Sequence, residues 1–281
     1  MLKTVIHSPA IDSTKLEILK AAFSANVISK NGFYLIEHKN PLSHDELDRL
    51  RKQLSLDVNT LPEEFDPSQI ALLITDMDST LISIECVDEI ADFLNIKDKV
   101  SEITESAMRG EIDFNTSLKK RVSLLNGLDY AVLNRVYLER LSLNPGAEEL
   151  MTGLRNRNIK TALVSGGFTF FTDRLKERLK FDYTLSNTLE VVSDKLTGNV
   201  SGEVVNGAVK AAFLQQLSTE LDIDVKHAIA VGDGANDLPM LGLSGLGVAY
   251  RAKPIVQQQA DVVLNYSALD AILDFLNLES T

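Results

Sequence analysis

A chain of 281 residues, 44% hydrophobic and 24% charged, has the balance of a soluble globular protein and the length of one large or two modest domains. Its 28 basic and 40 acidic residues leave a net charge of −12 with no Lys/Arg block, which argues against nucleic acid and anionic membrane as partners. No apolar run approaches the ~20 residues of a membrane span. The first residues lack a signal-peptide pattern, and the one cysteine, Cys86, excludes an internal disulfide, so the expected address is the cytoplasm.

Residues 1–67 read as a small N-terminal α+β unit. A strand at 3–7 and an amphipathic helix at 15–24 precede two strand-like runs, "ANVISK" and "GFYLIEH", and a helix at 43–54. The order β-α-β-β-α resembles a truncated ferredoxin-like, amino-acid-sensing (ACT-type) module. An oligomerisation extension, as in a homodimer, or a stabilising one is the alternative. "NTLPEEFDPSQ" reads as a linker into a second unit, 68–281.

From Ala71 onward, short aliphatic runs alternate with helical patterns. The runs are "IALLIT" (70–75), "IKTALVS" (159–165), "KHAIAVGD" (226–233), "GLGVAY" (245–250) and "ADVVLN" (260–265). Apolar throughout rather than alternating, they suit parallel strands covered on both faces and imply an α/β doubly wound, Rossmann-like sheet. Residues 84–142 separate the first two strands by far more than one crossover. They read as helices in "IECVDEIADFLN", "DFNTSLKKRVSLLNG" and "DYAVLNRVYLERL", a cap inserted just after the first strand. Asn144-Pro145 reads as the start of the next helix, "LEVVSDKLTGNVSGEVVNG" (189–207) as a β-hairpin, and Ser267 with Asp270 as a capping-box start.

Three strands end in polar clusters: Asp76-Met77-Asp78-Ser79-Thr80, Ser165-Gly166-Gly167, and Gly232-Asp233-Gly234-Ala235-Asn236-Asp237. One D-x-D is ordinarily a solvated turn. Three such ends converge, because ligands of open α/β sheets bind beyond the carboxyl ends of the strands. Asp76, Asp233 and Asp237 would offer oxygen ligands alone, which suits Mg²⁺ shared with a phosphate. The glycines let backbone N–H groups approach an anion. A carboxylate in that setting can be a nucleophile, and Asp78 can move the proton. Phosphoryl transfer also needs a cation, for which Lys210 is the best placed, although a lone lysine on a helix ordinarily faces water.

In order and spacing, "DMDST", "SGG", Lys210 and "GDGAND" resemble the haloacid dehalogenase superfamily of aspartate-nucleophile phosphatases. "DMDSTLISIECVDEIADF", "AMRGEIDFNTSLKKRVSLL", "LVSGGFTFF" and "GDGANDLPML" extend the likeness to its phosphoserine-hydrolysing branch, over about Ala71 to Leu276. The resemblance implies hydrolysis of O-phosphoserine with Mg²⁺, the last step of serine synthesis. It implies Asp76 as nucleophile, Asp78 as general acid/base, and Mg²⁺ on Asp76, the Asp78 carbonyl and Asp233. Ser165, Gly166 and Lys210 would bind the phosphoryl group, with Asp237 steering Lys210, Asn236 lining the site and Thr80 supporting the loop. Glu85 would meet the substrate ammonium and Arg121 its carboxylate, with Met108 and Phe114 closing the pocket.

The residues bear on one of these roles by themselves. Phe114, Leu118, Arg121 and Leu125 fall at i, i+4, i+7 and i+11 on one helical stripe. An arginine in an apolar stripe either snorkels at its edge or clamps an anion. Glu85 shares its helix with Asp88, Glu89 and Asp92, most of which should face water, and Cys86 reads as a packing residue. Two alternatives keep the site and change the reaction: action on another small phosphate ester, as phosphatase or phosphotransferase, and a signalling receiver that retains its phosphate.

Overall fold

The computed structural model describes residues 1–108 and 111–278, with the backbone alone at positions 105 and 108. Strand β1 (Leu2–His7), helix α1 (Ser13–Phe23), strands β2 (Val27–Ser29) and β3 (Phe33–His38), helix α2 (His44–Leu54) and strand β4 (Asp57–Thr60) build a four-stranded sheet of order β2-β3-β1-β4. β1 lies antiparallel to both its neighbours. The helices begin where the sequence supplies caps: Asp12 accepts the Lys15 N–H, and Ser43 with Glu46 forms a capping box. Alternation along the strands divides two cores. Ile6, Ile36 and Val58 pack under α1 and α2, while Val5 and Leu35 face the larger body of the protein.

β4 completes a βαββαβ order where the sequence pattern predicts βαββα, because Asn59 and Thr60 belong to a strand and not to the linker. Its polar residues serve docking rather than packing. The Asn59 carboxamide donates to the Val263 carbonyl at 2.9 Å and accepts the Val263 N–H at 2.8 Å, as a pairing strand would. Buried Asp57 accepts the N–H groups of Asn265, Tyr266 and Ser267 at 2.8, 3.0 and 2.7 Å. The edges of the two sheets therefore cover each other. Asp57→Ala leaves three N–H groups without an acceptor, and a loss of about 3 kcal/mol is expected in urea unfolding of the full chain.

The larger sheet starts with β5 (Leu72–Thr75), followed by the cap helices α3 (Cys86–Asp92), α4 (Lys97–Met108), α5 (Phe114–Ser123) and α6 (Ala131–Glu139). Then come α7 (Ala147–Asn156), β6 (Lys160–Phe168), α8 (Thr169–Leu179), the hairpin β7 (Tyr183–Val192) and β8 (Lys195–Ser201), and α9 (Gly207–Glu220). β9 (Ala228–Gly232), α10 (Leu238–Leu243), β10 (Leu246–Tyr250), α11 (Pro254–Gln259), β11 (Val262–Leu264) and α12 (Ile272–Leu276) complete the chain. The sheet order is β11-β10-β9-β5-β6-β7-β8, parallel except for β8. β5 is central, so the chain winds outward from it in both directions and its carboxyl end lies at the topological switch point. Leu72 and Ile74 enter the core on one face and Leu73 the core on the other, as the unbroken aliphatic run requires. Among the described residues no helix is long and apolar enough to cross a membrane.

Three local expectations are corrected. Helix α4 was not foreseen within the cap. Helix α7 begins at Ala147, and Asn144 caps nothing: it is buried, with its amide donating to the carbonyls of Thr80 at 2.8 Å and Ile82 at 3.2 Å. Ser267 makes no capping box either, because its N–H is held by Asp57 and the last helix follows a 3₁₀ turn at Leu269–Ala271.

Candidate active site

β5 carries Asp76 to the carboxyl edge of the sheet, where its N–H still bonds the Val231 carbonyl of β9 at 2.9 Å. Lys210, in the first turn of α9, is fully buried rather than solvated. Asn206 caps that helix, and the Lys210 ammonium bridges Asp76 at 2.6 Å and Asp237 at 2.7 Å. The other oxygen of Asp237 accepts the N–H groups of Asp233 and Gly234 at 3.2 and 3.0 Å. Thr80 donates its hydroxyl to Asp233 at 3.1 Å. Oxygens of Asp76, Asp233 and Asp237 lie within 4.8 Å of one another.

One ammonium thus faces three buried carboxylates. Burial, with Asp237 adding repulsion against the pull of Lys210, pushes the Asp76 carboxyl up to about 7. Burial and then the repulsion of Asp76 and Asp237 push Asp233 up to about 8. Burial alone would lower Lys210, but Asp237 and Asp76 outweigh it and hold the ammonium charged. A hard divalent cation fits this donor set, because it is all oxygen and its negative charge exceeds what Lys210 neutralises.

Asp78 follows in a tight turn over Met77–Leu81 that Ser79 makes possible with φ of 56°. It accepts the Cys86 N–H at 3.1 Å, so the first cap helix hangs directly on this carboxylate. Burial, then repulsion from Glu85 and Asp76, raises Asp78 well above the ordinary carboxylate range. A carboxyl that holds its proton is the form a general acid requires. Cys86 is buried and burial pushes its thiol up, in keeping with packing.

β6 brings Ser165, fully buried, whose hydroxyl oxygen accepts the Gly167 N–H at 2.8 Å. Both glycines permit close approach. A β-carbon at Gly166 would lie 2.7 Å from Cζ of Phe114, and one at Gly167 would lie 2.7 Å from Oδ2 of Asp78. Phe114, at the start of α5, therefore rests directly on the glycine loop. Asn236, half-buried, lays its carboxamide oxygen over Gly234.

On the cap side, Glu85 opens to solvent at the mouth of the site and accepts the Ser79 hydroxyl at 2.6 Å. The surrounding walls strip enough water to raise its carboxyl. Leu118 and Leu125 are buried as the stripe predicts, and Arg121 on the same face does not snorkel free. Its Nε is buried with no hydrogen-bond partner, and it forms no ion pair among the described residues. Burial lowers Arg121, against the pull of Glu85 and then Asp88. The backbone at Met108 ends α4, but its side chain lies outside the described residues.

Asn144, which pins the loop carrying Asp78 and Thr80, escaped sequence reading because "LNPG" has the composition of a helix start. Lys253 did too: its N–H donates to the Asp233 carbonyl at 3.0 Å, but a lysine between alanine and proline carries no pattern.

A family model described as haloacid dehalogenase-like hydrolase matches residues 73–242. A phosphoserine phosphatase of Haemophilus influenzae is 42% identical over 282 residues, covering 97% of this chain and 88% of that protein. One from Polaromonas sp. is 49% identical over 224 residues, covering 78% of this chain and 95% of its own. The crystal structure of a HAD family hydrolase from Salmonella enterica serovar Typhi superposes with a TM-score of 0.89 at 34% identity, covering 100% of this chain and 99% of that one.

Proposed function

Because the chain belongs to the haloacid dehalogenase-like hydrolases, we propose that it hydrolyses O-phosphoserine to serine and phosphate through an aspartyl-phosphate on Asp76. The observation that carries the choice of substrate is Arg121, half-buried under the pull of Glu85, whose buried Nε has no hydrogen-bond partner and which pairs with no carboxylate among the described residues. An amino acid bearing a phosphate offers a carboxylate to Arg121, an ammonium to Glu85 and a dianion to the strand ends. A sugar phosphate offers neither a carboxylate to Arg121 nor an ammonium to Glu85.

In this reading Asp76 attacks phosphorus as the bond to the serine oxygen breaks, and Asp78 gives its proton to that oxygen. Serine leaves. Asp78, now a carboxylate, takes a proton from water, whose oxygen attacks the phosphoryl group and frees Asp76. Lys210 and the Ser165 hydroxyl hold the phosphoryl oxygens, and Gly166 lets the group approach the backbone. Asn236 and Thr80 support the loops on either side. Phe114, seated on Gly166, keeps bulk water from the intermediate. Mg²⁺, on Asp76, Asp233 and the Asp78 carbonyl, would supply the positive charge that the carboxylates and the phosphate together lack. Asp237, already engaged by Lys210 and two N–H groups, acts as the holder of Lys210. Residues 1–67 and 68–281 are taken as two units, the first docked on the second through Asp57 and Asn59, with cap residues 84–142 inside the second.

Phosphate release from O-phosphoserine should require Mg²⁺ and stop in EDTA. Arg121→Ala should lower kcat/KM for phosphoserine by about 10- to 100-fold, the worth of a charged bidentate pair. Hydrolysis of a simple aryl phosphate, which has no carboxylate, should stay within about twofold. Equal loss on both substrates would remove the carboxylate clamp.

A further inference from the structure

β6 does not run straight through the phosphate loop. Its pairing with β7 is regular from Ala162 to Ser165, then shifts, and resumes with Phe168 opposite Asn187. Such a bulge turns backbone groups out of the ladder, and a buried carbonyl left that way needs another partner. Asn187, 1% exposed, supplies it: its amide donates to the Gly166 carbonyl at 2.8 Å. The other end of the carboxamide accepts the Val205 N–H at 2.9 Å, in the segment that leads into α9 and Lys210.

The Gly166 carbonyl and the Gly167 N–H belong to one rigid peptide plane. Asn187 holds its carbonyl end and the Ser165 hydroxyl oxygen holds its N–H end at 2.8 Å. With that lone pair occupied by Gly167, the Ser165 hydroxyl hydrogen is left to donate elsewhere. Two glycines in sequence could otherwise rotate this plane at little cost. Past Asn187, β7 leaves β6 to pair with β8, from Thr188 opposite Ser201. The residue therefore stands where the sheet, the glycine loop and the approach to the lysine helix meet.

We propose that Asn187 is the positioning residue of the phosphoryl-binding loop: it fixes the Gly166–Gly167 peptide so that the Ser165 hydroxyl donates to the phosphoryl group, and it ties that loop to the segment carrying Lys210. The inference rests on the phosphatase reading but not on the amino-acid substrate, since it concerns only the phosphoryl half of the site.

Two variants test it. Asn187→Asp keeps the shape and the acceptor for Val205 and makes the donor to Gly166 depend on protonation. A carboxyl so buried has a raised pKa. Its neutral form donates to Gly166 at acid pH, and its ionised form repels that carbonyl at alkaline pH. The ratio of Asn187→Asp to wild-type kcat/KM should stand near one at about pH 5 and fall by about 10- to 100-fold toward about pH 9. Asn187→Leu should show the low ratio at every pH, and both results should appear alike on phosphoserine and on an aryl phosphate. A flat ratio within about twofold of wild type for Asn187→Asp, or a loss confined to phosphoserine, overturns the proposal. Should Asn187→Leu fail to fold, the pH profile of Asn187→Asp decides alone. Wild-type protein that hydrolyses the aryl phosphate but not phosphoserine defeats the substrate assignment, and Asn187 is then judged on the aryl phosphate.

Discussion

Asp76→Asn should lower phosphate release from O-phosphoserine by about 10⁴- to 10⁶-fold, the scale on which removal of a covalent nucleophile acts. The amide retains the shape of the carboxylate and an oxygen that can accept from Lys210, 2.6 Å away, but it cannot form the phosphoryl ester. The fold should not suffer. The Asp76 carboxyl is raised to about 7 from an ordinary value near 4. A group raised on folding contributes full stability only below its unfolded pKa and loses it as pH climbs through the folded one. Above about pH 7 the ionised side chain therefore opposes folding, and a neutral amide relieves the repulsion by Asp233 and Asp237. Metal-free Asp76→Asn should unfold in urea at the same or a higher midpoint than wild type at alkaline pH. Near-normal turnover would remove Asp76 from its role, and a large drop in midpoint would mean that the loss of activity reports misfolding.

Asp78→Asn is expected to cost about 10²- to 10⁴-fold in kcat on phosphoserine, the range for a positioned general acid/base. The loss should depend on the leaving group. Serine leaves as an alkoxide unless it is protonated, whereas a nitrophenolate needs no proton. With an aryl phosphate the first step should survive and the second, which needs Asp78 to take a proton from water, should not. Rapid mixing should show a burst of about one equivalent of nitrophenol per site, then slow turnover. Equal slowing from the first turnover, with no burst, would assign Asp78 to structure, where its bond to the Cys86 N–H gives it a second duty.

Much of this was legible in the chain because it rests on short-range pattern. Unbroken aliphatic runs announce strands buried on both faces, and the residues that follow them must meet at one edge of a parallel sheet. The hairpin after β6 and the apolar stripe carrying Arg121 were equally readable. Other features depend on long-range partners that no local pattern encodes. β4, "DVNT", lacks the apolar alternation of a strand because Asp57 and Asn59 turn to the opposite sheet. Asn144 and Ser267 carry helix-start chemistry, yet tertiary hydrogen bonds claim both. Lys210 is the best-placed cation in the sequence, but only the fold reveals how Asp76 and Asp237 compensate its burial. The pressing of Phe114 on Gly166 joins residues from cap and sheet that are far apart in the chain. The docking of the N-terminal sheet was out of reach for the same reason.

The most direct test is to look for the covalent intermediate. Asp78→Asn protein is mixed with an aryl phosphate and Mg²⁺, quenched in acid within the burst and digested for peptide mass analysis. The mechanism predicts a phosphoryl group on the peptide spanning Leu72 to Ile82, fragmenting to Asp76, and a doubly substituted Asp76→Asn/Asp78→Asn protein that stays unmodified. A burst with that peptide unmodified, or a phosphoryl group on Ser79 or Ser165 instead, would contradict it.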